Sequence, residues 1–108
     1  MPMYLYIIVF YGILDPTQIA SFLNSRPEIR NWYQYGNSIA ILSTCVLPEV
    51  QKLLMPLFFS QTFLVSPIYS ATTGGNMPAD FWKFVNNPQD SGFWPPLPPG
   101  NKATPLQG

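Results

Sequence analysis

Residues 3–12, MYLYIIVFYG, decide how the rest of the chain is read. Val and Ile at positions 7, 8 and 9, flanked by Tyr and Phe, are strand formers, and Gly12 ends the run. A strand on a protein surface alternates apolar and polar side chains. This one is apolar on both faces. Alternation divides it into Leu5, Ile7, Val9 and Tyr11 on one side and Tyr4, Tyr6, Ile8 and Phe10 on the other. One side is expected to pack under the domain's own helices. The other requires a cover: a second copy of the chain, the C-terminal tail or a ligand.

Outward from this strand, DPTQIASFLNSR carries a helix start. Asp15 is a good N-cap, Pro16 fits the first helical position, and Gln18 can reach back as in a capping box. Ile19, Phe22 and Leu23 form one apolar stripe, and Pro27 ends the helix near Ser25. NWYQYGNSIAILST then reads as a hairpin, with residues 32–35 and 38–44 joined at Gly36-Asn37. A second helix is expected over residues 47–59, with Val50, Leu53, Leu54 and Leu57 at helical spacing and Pro56 kinking or shortening it. TFLVSPIY, residues 62–69, is a fourth strand, and Pro67 argues for a sheet edge. A third helix is expected with Asn76 as its cap and Pro78 near its start, carrying Phe81, Trp82 and Val85 inward.

The order β-α-β-β-α-β with an added helix is that of a ferredoxin-like α+β sandwich, with strand one inside the sheet and both helices on one face. The domain is expected over residues 1–87. Residues 88–108 are rich in proline and glycine and read by composition as a polyproline-like or unstructured tail. Within it, FWPPLPP, residues 93–99, has apolar grip.

The chain has 108 residues and no histidine, which excludes Ser–His–Asp triads and His-based acid–base or metal chemistry. Its one cysteine, Cys45, makes no internal disulfide or zinc knuckle and is expected to be a buried small residue in a cytoplasmic protein. No cofactor is expected. Five basic and five acidic residues cancel, and charged residues are only 9% of the chain. That balance argues against phosphate-backbone binding and favours association. Residues 53–71 lack charge, but their prolines and polar residues argue against a membrane span. The Gly-rich TTGGN, residues 72–76, lacks the lysine of a phosphate loop.

Several stretches in order carry a resemblance: the apolar first strand, NWYQYGNSIAILS, LPEVQKLLMPLF, TFLVSPI and MPADFWKFV. Together, over about residues 3–87, they resemble small ferredoxin-like proteins related to the dimeric small subunit of the CRISPR spacer-acquisition complex. The resemblance implies the fold, a homodimer and a phage or mobile-element setting. Nuclease members of that group carry a metal-binding aspartate at the end of strand one. Here Tyr11 and Gly12 hold that place, and Asp15 comes three residues later as a helix cap.

The favoured reading is a non-catalytic, self-associating interaction protein. Aromatic residues are 16% of the chain, and aromatics are enriched at interface cores while charges are depleted. The expected interface residues are Tyr4, Tyr6, Ile8, Phe10, Trp32, Phe93 and Trp94. The alternatives are a Mg²⁺-dependent nuclease using Asp15 from each protomer, and a single-stranded RNA binder stacking bases on Tyr4, Tyr6, Phe10 and Trp32. A further alternative is a small-molecule site at an oligomer interface with Arg26 or Arg30 as anion contact.

Overall fold

A computed structural model describes residues 3–59 and 61–89. The elements are β1 (Tyr4–Tyr11), α1 (Pro16–Asn24), β2 (Ile29–Tyr35), β3 (Ser38–Ser43), α2 (Leu47–Phe58), β4 (Thr62–Pro67) and α3 (Ala79–Asn86). A short 3-10 turn, Ser70–Thr72, follows β4. The strands form one antiparallel sheet in the order β2-β3-β1-β4. The fold is therefore α+β, a four-stranded antiparallel sheet with three helices.

Local chemistry sets the boundaries. Asp15 caps α1, its Oδ1 accepting from the Thr17 amide at 2.9 Å, and Pro16 begins the helix. Gly36, at φ +58°, supplies the left-handed turn residue between β2 and β3. Asn37 beside it donates from Nδ2 to the Phe10 carbonyl at 3.0 Å and the Gly12 carbonyl at 3.2 Å, clamping the end of β1. β2 starts at Ile29, before the expected residue 32, because a register shift between Ile29 and Asn31 absorbs Arg30 and lets the ladder continue. Pro56 neither stops α2 nor ends it at once: the helix runs on to Phe58 before closing. α3 begins after Pro78, which holds the N-cap position expected of Asn76.

Both faces of the sheet are packed. On the first, Tyr6, Ile8 and Phe10 of β1 and Ile39 and Ile41 of β3 meet Ile19 and Leu23 of α1 and Val50, Leu54 and Phe58 of α2. Phe58 stacks on Phe63 of β4, ring centroids 4.5 Å apart. On the second face, Phe81, Phe84 and Val85 of α3 close over Tyr33, Ala40 and Leu42, with Leu5 and Ile7 packed alongside. Helix α3 thus supplies much of the cover that the doubly apolar first strand requires. An eight-residue helix is too short to cover four strands.

Two expectations are corrected by this packing. Tyr6, Ile8, Phe10 and Trp32 do not lie on an uncovered face; they are buried in the core between the sheet and the two helices. Alternation alone could not assign the sides, because both are apolar. Trp32 is further fixed by its Nε1, which donates to Asn24 Oδ1 of α1 at 2.9 Å. Cys45, expected to be buried, is half-buried at the rim of the same core.

Candidate functional site

The described surface offers two apolar features. The first is a groove of about 560 Å³ at the end of the sheet where β1 begins. Its walls are Tyr4 and Tyr6 of β1, Leu47 at the start of α2, Tyr69 after β4, and Val85 and Pro88 at the end of α3. The Tyr6 hydroxyl donates to the Cys45 carbonyl at 2.7 Å, which fixes the ring in the wall. The Tyr4 ring lies 6.5 Å from it, centroid to centroid. The Ile68 amide donates to the Leu5 carbonyl at 3.0 Å and holds the exit of β4 against β1. Burial, with Tyr4 beside it, raises the Tyr6 phenol above its ordinary range, so the hydroxyl stays a neutral donor near pH 7. The volume falls in the range of small-molecule and cofactor sites, about 300–1,000 Å³.

The second feature is the β4 edge and the part of the second sheet face that α3 leaves open. Tyr35, Ser38, Val9 and Leu64 are register partners in one row across all four strands. Tyr35 is 54% exposed, Leu64 48% and the adjacent Tyr11 55%, and Val9 is half-buried. Among the described residues, no fifth strand pairs with β4. Strand β4 carries no charge and no bulge, whereas β2 at the other edge has both Arg30 and a register shift. Charges, bulges and prolines protect an edge from pairing, and of these β4 has only Pro67, at its last position.

The remaining expected site residues are scattered. Tyr4 lies at the groove and is 37% exposed. Phe93 and Trp94 lie outside the described residues. The Arg26 guanidinium sits over the Phe22 ring at 4.6 Å, and Arg30 donates from Nη1 to the Pro27 carbonyl at 3.1 Å. Neither lines the aromatic groove. Arg26 instead borders a separate recess whose charges are mixed, with Glu28, Glu49 and Lys52. Asp15 is occupied as a cap. Among the described residues, no group of three or more His, Cys, Asp or Glu converges to hold a metal. No described helix is long and apolar enough to cross a membrane. Of the aromatics expected to stack bases, only Tyr4 is exposed; Tyr6, Phe10 and Trp32 are in the core.

Sequence reasoning missed Val9, Tyr11, Tyr35, Leu64 and Tyr69. The first two were legible as the other half of strand one. Leu64 lies in a run without charge, residues 53–79, which could have marked the edge. Comparison with protein families, with curated proteins and with solved structures finds no match to this chain.

Proposed function

We propose that this chain is a non-catalytic, self-associating interaction domain of the ferredoxin-like class, pairing with a second copy through the β4 edge. The observation that carries the reading is that edge: a charge-free, unbulged strand continuous with the open row Tyr35–Ser38–Val9–Leu64. Antiparallel addition of β4 to its symmetry mate satisfies outward backbone groups on both copies at once. It also sets the two open rows side by side, so that apolar side chains at the seam bury part of each other's surface. The class assignment is supported by the placement of β1 between β3 and β4 and by α1 and α2, each of which connects strands separated by one neighbour.

Sedimentation of the full chain over a range of concentrations tests the reading. A monomer–dimer equilibrium is the expected result. A monomer at every concentration would overturn it.

A further inference from the structure

We propose that the tyrosine-lined groove is the seat of this chain's own residues 93–99, FWPPLPP. The proposal does not depend on pairing through β4.

Three observations converge on this occupant. The first is position. Pro88 is part of the groove wall, and Gln89, the last described residue, is held by Asn31, whose Nδ2 donates to the Gln89 carbonyl at 2.9 Å. Asn31 pairs with Leu42, and Leu42 pairs with Leu5, another groove residue. The strand that holds the anchor therefore lies two strand spacings, about 10 Å, from the β1 wall of the groove. Residues 90–93 can span about 13 Å when extended, so the chain can turn back and place Phe93 at the groove mouth.

The second observation is surface chemistry. Tyr4, Tyr6 and Tyr69 line the groove together with aliphatic side chains. Proline-rich segments dock on aromatic-lined grooves because prolines restrict the free chain and little entropy is lost on binding. Pro95, Pro96, Pro98 and Pro99 have no amide N–H, so seating them on an apolar wall strands no donor. Phe93, Trp94 and Leu97 supply the apolar area.

The third is charge. No groove residue is charged, and neither is any residue from 93 to 99. Nothing has to be desolvated as an ion when the two meet.

The test uses the full chain with the photoreactive residue p-benzoylphenylalanine in place of Tyr69, a groove residue 68% exposed. Irradiation and mass mapping should link position 69 to residues 93–99 in a product of monomer mass. The same probe in place of Gln51, on the outer face of α2, should give no such link. Absence of links from position 69 to residues 93–99 would overturn the proposal. Links found only in a product of dimer mass would also overturn it, since a second copy would then supply the segment. An independent readout is chymotrypsin cleavage after Phe93. Ala71→Trp, which fills the groove from its exposed rim, should speed that cleavage about tenfold, as expected when the protected state is lost. An unchanged cleavage rate in a folded Ala71→Trp protein would count against the proposal.

Discussion

The side chain of Asn31 and the backbone of Gln89 are joined by a 2.9 Å hydrogen bond across the end of the sheet. Asn31 is 2% exposed, and its Oδ1 also accepts from the Trp32 amide at 2.9 Å. One buried amide thus holds β2 in register after its bulge and fastens the chain that leaves α3. Buried polar groups of this kind are costly to orphan. Asn31→Ala should lower stability by about 1–3 kcal/mol. A urea midpoint equal to that of the native chain would show that the tie carries no weight.

Helix α3 is the cover of the second face. Phe84 is fully buried beneath it, and Phe81 packs edge-on against Tyr33 at 6.3 Å between ring centroids. Phe84→Ala should cost about 3–5 kcal/mol, a large share of the stability of a domain this size. Loosening α3 should also expose Leu5, Ile7 and Leu42, read as a rise in binding of a hydrophobic dye. Retention of native stability would mean that α3 is not an integral layer.

Asp15 separates a structural role from a catalytic one. As the N-cap of α1, it should cost about 1 kcal/mol when replaced by Ala and only a few tenths when replaced by Asn, which caps equally well. Thermal unfolding of Asp15→Ala and Asp15→Asn measures this. Mg²⁺- or Mn²⁺-dependent cleavage of nucleic acid by the native chain, lost in a stable Asp15→Asn protein, would contradict the capping account.

Alkaline pH should unfold the domain through two phenols. Burial is the main cause that raises Tyr6 and Tyr33 above the ordinary tyrosine value of 10.0; Tyr4 adds to it for Tyr6 and Asp80 for Tyr33. A phenol harder to ionise in the folded chain contributes stability that is complete below pH 10 and is lost as pH climbs through the raised values. Melting temperature should therefore hold steady up to about pH 9.5 and then fall. Tyr33→Phe should flatten that fall. A steep loss of stability below pH 9 would point to other groups.

The sequence made the element order legible because its signals are local. Asp15-Pro16 marks a helix start, Gly36-Asn37 a turn, and the β-branched and aromatic residues of β1 a strand. Which side of β1 meets which helices was not legible, since Tyr6, Ile8 and Phe10 are no more apolar than Leu5, Ile7 and Val9. That choice rests on long-range packing against α1 and α2, fastened by the Cys45 carbonyl, which receives the Tyr6 hydroxyl, and by Asn24, which receives the Trp32 indole N–H. The early start of β2 depends on a bulge at Arg30 that no periodicity records. The groove was hidden for the same reason. Tyr4, Leu47, Tyr69 and Val85 come from four separated stretches and share nothing until the sheet forms.

Light scattering on the full chain, beside Leu64→Lys, tests self-association through β4 most directly. Leu64 lies on the open face of β4, 48% exposed, so the substitution leaves the core intact while placing a charge where edge strands avoid pairing. The account predicts a dimer mass for the native chain and a monomer mass for a folded Leu64→Lys protein. A native chain that stays monomeric, or a Leu64→Lys protein that dimerises as strongly as the native one, would contradict it.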